Sequence, residues 1–152
     1  MPYPVAAVAN ALIEIAADRG MYLSNLKLQK LVYFAHGWYL ALHNTPLINE
    51  PVQSWRYGPV IPELYNELRH YGSAPVTKRI DIKETVTRGG EDYNFLEQIF
   101  AKYGMFSPAE LIALTHRAGS PWEQFGAGLN WFEVIPNDAI RRDFLNKASG
   151  AN

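Results

Sequence analysis

From Val5 to Arg19 the apolar residues fall at Val5, Val8, Ala9, Leu12 and Ala16. This is the spacing of one helix face, and Gly20 follows as a C-terminal stop. Ser24 then stands as an N-cap before a long run, "NLKLQKLVYFAHGWYLALH". Leu28, Leu31, Val32, Ala35, Trp38, Tyr39 and Leu42 make one stripe of it, while Phe34, Leu40 and Ala41 carry apolar character to other faces. A helix that is apolar nearly all round is buried, so this second helix is expected at the centre of the fold. Gly37 inside it costs about 1 kcal/mol against Ala, and the close approach of another element is the expected reason.

The pattern then changes. "NTPLINEPVQSW" reads as a loop followed by a short strand near Val52 to Trp55. Pro62 opens a helix running to about His70, with Leu64, Tyr65 and Leu68 inward and Gly72 as its stop. Alternation at Val76, Ile80, Ile82 and Val86 predicts an exposed strand or hairpin that turns at Gly89 and Gly90. Phe95, Leu96, Ile99, Phe100 and Tyr103 predict a helix from Asp92 to Tyr103. "FSPAEL" is a capping box with Ser107 as N-cap, Pro108 at the first helical position and Glu110 reaching back; Phe106 and Leu111 are spaced as a hydrophobic staple. "SPWE" repeats the box with Ser120, Pro121 and Glu123. "FGAGLNW" is a loop, Asp138 opens a last helix with Ile140 and Phe144 inward, and the tail "ASGAN" is expected to fray.

Together these elements predict a mainly α (α+β) fold. It is a compact single-domain helical bundle around a central buried helix, with a small antiparallel sheet from residues 50–60 and 76–88. One domain of residues 1–152, with its core at about 5–145, is the expectation.

Composition narrows the function. The chain has no cysteine, which removes disulfides and thiolate chemistry. Its net charge of −1 supplies no general electrostatic grip on nucleic acid or on an anionic membrane. The N-terminus lacks a basic start and is interrupted by Glu14 and Asp18, so it reads neither as a signal peptide nor as a membrane span. A cytoplasmic protein is expected.

The candidate chemistry lies in the same residues. His36, His43, His70 and His116 include no pair at the spacing of a zinc helix. "GAGLNW" lacks the third glycine of a dinucleotide loop. No metal site or cofactor is expected. A noncontiguous acid/base site built on His116 with Glu123 stays open, against the commoner reading of His116 as a hydrogen-bonded structural residue. Lys27 and Lys30 lie in the first two turns of the second helix, where the helix dipole disfavours cations. Either their stems lie along the core and their charges reach water, or an anionic partner meets them. The corner "SWRYGPVIP" has the same two readings. Trp55, Gly58, Pro59 and Pro62 build a strand-to-helix turn, and Arg56 and Tyr57 are of the residue types that dominate protein interfaces.

"LKLQKLVYFAHGWYLAL", then "SWRYGPVIPELYNEL", then "LTHRAGSPW" and a short terminal helix resemble the Panacea domain family, the SocA-like antitoxins and phage-associated proteins. The resemblance runs from about Val5 to Phe144. The family pattern falls on Lys27, Gln29, Lys30, Trp55, Tyr57, Gly58, Pro59, His116, Pro121 and Trp122. The resemblance implies a mostly helical, non-catalytic protein-binding module that neutralises a cognate toxin encoded by an adjacent gene. It carries no established catalytic residue. One branch acts as an adaptor to a Clp-type protease, which makes such a protease the second candidate partner. Some relatives carry added DNA-binding segments, and none is expected in this chain. Lys27, Lys30, Arg56, Tyr57, His116 and Trp122 are the expected partner-binding residues. A hydrolase or nucleic-acid enzyme using His116 is the rival from a different class.

Overall fold

The computed structural model describes residues 2–117, 119–126 and 132–150. The first helix, α1 (Val5–Asp18), closes as the sequence predicts. Gly20 takes φ +71°, Met21 N–H donates to the Ala16 carbonyl and Gly20 N–H to that of Ala17. This Schellman motif needs a residue that tolerates the left-handed conformation. A two-residue strand, β1 (Leu23–Ser24), leads into α2 (Asn25–His43). Ser24 Oγ accepts from Lys27 N–H at 3.2 Å, the cap expected of it.

A hairpin follows, β2 (Val52–Trp55) and β3 (Gly58–Val60), then α3 (Pro62–Leu68), a 3-10 turn and β4 (Pro75–Val76). The rest of the chain forms α4 (Glu91–Tyr103), α5 (Pro108–Thr115), α6 (Pro121–Phe125), β5 (Glu133–Ile135) and α7 (Asn137–Ala148). Ser107 and Glu110 complete the reciprocal capping box at α5. At α6 only half of it forms. Ser120 Oγ accepts from Glu123 N–H, but the Glu123 carboxylate accepts from Gly119 N–H at 2.8 Å.

The α2 helix is the centre. Leu28, Leu31, Val32, Phe34 and Ala35 are fully buried, and α1, α3, α4, α5 and α7 pack around them. Gly37 has the reason anticipated for it: a Cβ there would stand 2.1 Å from Phe144 Cε1. The missing side chain lets α7 lie directly on α2, and Phe144 then meets the Tyr33, Phe34 and Trp38 rings edge-on.

The sheet differs from the expected one. β2 pairs antiparallel with β3 and, on its other side, with β5, a strand the hydrophobic pattern did not signal. Residues 77–88 form no strand; only Pro75–Val76 pairs, with Leu23–Ser24. The alternation at Ile80 and Val86 comes from a loop that plugs two apolar side chains into the core. Its backbone is satisfied by a side chain instead of a ladder. Asn10 Nδ2 donates to the Ile80 carbonyl at 2.9 Å, and Ile80 N–H donates to Asn10 Oδ1 at 2.6 Å. Tyr65, expected inward, is more than a third exposed. The "FGAGLNW" loop falls largely, and the last two residues wholly, outside the described residues.

Candidate functional site

The corner between β2 and β3 is two residues long. Trp55 pairs with Gly58, which leaves Arg56 and Tyr57 at the tip. Gly58 takes φ +114°, a conformation that side chains rarely adopt. A Cβ on it would stand 2.8 Å from Lys30 Nζ and 2.9 Å from Thr115 Oγ1. Glycine is therefore required twice, for its backbone angle and for the space.

Three anchors hold the corner from beneath. Lys30, 0% exposed, donates through Nζ to the Pro59 carbonyl at 3.2 Å. Gln29 Oε1 accepts from Ile61 N–H at 2.9 Å, and Gln29 Nε2 donates to Asn25 Oδ1 at 2.9 Å. From the α6 side, Trp122 Nε1 donates to the Trp55 carbonyl at 2.5 Å, and Ser54 Oγ donates to the Trp122 carbonyl at 2.9 Å. Backbone groups in a turn usually face water. Here they are satisfied from within, which fixes the direction of the tip.

His116 completes the underside. Its ring stacks on Trp122 with centroids 3.7 Å apart and planes 3° off parallel. Burial and the neighbouring Lys30 charge hold its pKa below the usual histidine value, against a hydrogen bond to the Tyr57 backbone. Its Nε2 is buried with no hydrogen-bond partner among the described residues. The pairing with Glu123 raised as an acid/base possibility does not form, because that carboxylate is turned to Gly119. Among the described residues no group of three or more His, Asp or Glu is arranged to hold a metal ion.

The lysine pair also needs correcting. Lys27 is half-buried at the surface, whereas Lys30 is wholly interior, so the two do not share an exposed patch. Three residues apart on a helix places side chains on neighbouring positions, but here the edge of the buried face runs between them. Desolvation pushes the Lys30 pKa down to about 7.

Above these anchors lies a cleft of about 690 Å³ between the first turns of α2, the hairpin and α3. Leu26, Val60, Trp55, Tyr57, Tyr65 and Phe132 form its apolar part. Trp55 meets Tyr65 and Phe132 edge-on, at 4.9 and 5.3 Å between centroids. Arg56 and Arg69 also line it, and no aspartate or glutamate among the described residues does. Neither arginine forms an ion pair among the described residues. Tyr57 and Phe132 are 59% and 62% exposed. Sequence reasoning found Arg56 and Tyr57 here but missed Tyr65, Arg69 and Phe132. Phe132 has a signature of its own, φ +73° in a non-glycine residue, but only coordinates reveal it.

No helix among the described residues is long and apolar enough to cross a membrane. Antitoxin SocA of Caulobacter vibrioides is 33% identical to this chain over 152 residues, covering 89% of this chain and 81% of that protein. No solved structure matches at comparable significance. The family described as Antitoxin SocA-like, Panacea domain, matches residues 28–123, a span that takes in Lys30, the whole corner, His116 and Trp122. With more than half its length matched and a relative at that identity, the chain belongs to the SocA-like antitoxins of the Panacea domain family.

Proposed function

We propose that this protein neutralises a toxin by direct, non-catalytic binding, and that the toxin seats against the cleft beside the Arg56–Tyr57 tip. The toxin is expected to be the product of an adjacent gene. The observation that carries this reading is the combination of an apolar cleft of about 690 Å³, two arginines without carboxylate partners among the described residues, and a tip anchored from beneath. Aromatic and arginine side chains at a pocket are the usual energetic centre of a protein interface. A fixed backbone lowers the ordering cost of binding.

The residues of the underside support a binding module better than an enzyme. His116 is stacked, partly buried and, among the described residues, without a carboxylate partner. Lys30 is sealed under the corner, away from any solute. Lys27, His116 and Trp122 then act in different ways. Lys27 borders the surface, while His116 and Trp122 set the position of the tip.

Co-expression tests the proposal. The neighbouring gene product should arrest growth alone, and the wild-type protein should restore it. The double substitution Arg56→Glu with Tyr57→Ala should abolish rescue while the variant accumulates to the wild-type level. Full rescue by that variant would refute the assignment of the surface.

A further inference from the structure

A second groove lies away from the corner and shares no lining residue with the cleft. It has a volume of about 350 Å³ and lies between the later turns of α2, the end of α4, α5 and α7. Trp38, Phe106 and Leu114 give it apolar walls above the buried Phe34 and Tyr103. Lys102, Arg117 and Lys147 converge on it. Among the described residues one carboxylate answers the three cations: Asp143 accepts from Arg117 at 3.2 Å and stands 3.9 Å from Lys147 Nζ. Lys102 forms no ion pair among the described residues.

Arg117 and Lys147 are partly withdrawn from water, whereas Lys102 is exposed. Lys147 Nζ stands 4.4 Å from the centroid of the Phe144 ring, and Lys102 Nζ 4.4 Å from that of Trp38. The side chains of Lys147 and Asp143 are 17% and 12% exposed. Clustered, half-desolvated like charges are costly unless an anion joins them. Lys147 registers this, its pKa held down to about 8 by burial and by the Arg117 and Lys102 charges in spite of Asp143. A chain with net charge −1 thus gathers an excess of two positive charges in one groove.

We infer that this groove is a docking site for a linear, acidic–apolar peptide segment of a protein partner, one large apolar side chain entering against Phe106 and Leu114 while flanking carboxylates meet Lys102, Arg117 and Lys147. The volume suits one or two side chains. A single-stranded nucleic acid, which also seeks cations and rings, fits less well. Phe34 is stacked on Tyr103 at 4.2 Å and Trp38 is covered by Lys102, so those faces are already occupied, and bases bind by stacking on free ones.

The test is fluorescence anisotropy with three labelled probes on the full chain: Gly-Ser-Asp-Asp-Phe-Asp-Leu-Gly, the same peptide with every Asp replaced by Lys, and oligothymidylate. The acidic probe is expected to bind at least tenfold more tightly than either of the others. Lys102→Glu, a change at an exposed position, should weaken it at least tenfold. Lys78→Glu, an exposed charge outside the groove, should leave it unchanged, and so should Tyr57→Ala. The Trp38 indole N–H signal in a nitrogen-edited NMR spectrum should shift on addition of the acidic probe. Absence of acidic-probe binding, equal losses in Lys102→Glu and Lys78→Glu, or preference for the oligonucleotide would overturn the inference. Growth rescue by the Lys102→Glu variant is read separately, so failure here leaves the cleft assignment standing.

Discussion

Lys30 Nζ donates to the Pro59 carbonyl at 3.2 Å, from a side chain with no exposed surface and, among the described residues, no carboxylate partner. A lysine is an expensive choice for that position. Its length is what suits it. The stem crosses from the buried face of α2 to the underside of the hairpin, and the amine donates to a carbonyl of β3, an edge strand of its sheet. Gly58 provides the space, since a side chain there would collide with the amine.

A pH dependence follows. The Lys30 pKa is depressed to about 7 in the folded protein, and in the unfolded chain it takes its ordinary value near 10.4. Between these values the unfolded state binds the extra proton, so stability rises with pH. The penalty is fully present below pH 7 and is relieved as pH climbs through the window. Chemical denaturation of wild type and Lys30→Met at pH 7, 8 and 9 should show the wild type gaining on the variant by up to roughly 1.4 kcal/mol per pH unit. Lys147 shifts in the same direction but is common to both proteins. Parallel curves would mean that Lys30 keeps an ordinary pKa.

Gly58→Ala should be severe for its size. The substitution strains a backbone at φ +114° and drives a methyl to within 2.8 Å of Lys30 Nζ. About 2 kcal/mol or more of lost stability is expected. A melt should show Tm lowered by roughly 4–8 °C. A shift under one degree would contradict the close approach.

Asn10 carries the loop that the sequence reads as a strand. Asn10→Ala should cost about 1–3 kcal/mol, because it leaves buried backbone groups of Ile80 without partners. Hydrogen exchange should quicken at Ile80 N–H and through residues 77–88 while the central helix stays protected. Uniform loss of protection would instead indicate global destabilisation.

These cases show what local pattern can and cannot reveal. The helices α1 and α2, the Ser24 and Ser107 caps and the contact at Gly37 were legible because each rests on spacing or on a residue's own chemistry. The loop at residues 77–88 was misread because a loop with two buried plugs has the same alternation as a strand, and the difference lies in Asn10, seventy residues away. Lys30 was read as a surface or half-surface charge because its burial depends on Gly58 and Pro59, which only folding brings over it. The Arg56–Tyr57 tip was visible from residue type, but the cleft beside it needed Tyr65, Arg69 and Phe132 from other elements.

Trp122 should behave as a positioning residue. Trp122→Phe keeps a ring to stack on His116 but removes the Nε1–H bond to the Trp55 carbonyl. Stability should fall by about 1–2 kcal/mol. Toxin affinity should fall with it, since the tip loses an anchor, and the His116 ring signals should remain those of a stacked histidine. Unaltered affinity with lowered stability would make Trp122 purely structural.

The most direct measurement is calorimetric titration of the purified product of the adjacent gene, the proposed toxin, into wild type, Tyr57→Ala and Arg56→Glu, each paired with a thermal melt. Both substitutions fall at exposed positions of the tip, so Tm should hold within about a degree. The account predicts at least a tenfold loss of affinity for each, about 1.4 kcal/mol or more. Wild-type affinity in both variants would contradict it and move the toxin-binding surface elsewhere on the molecule.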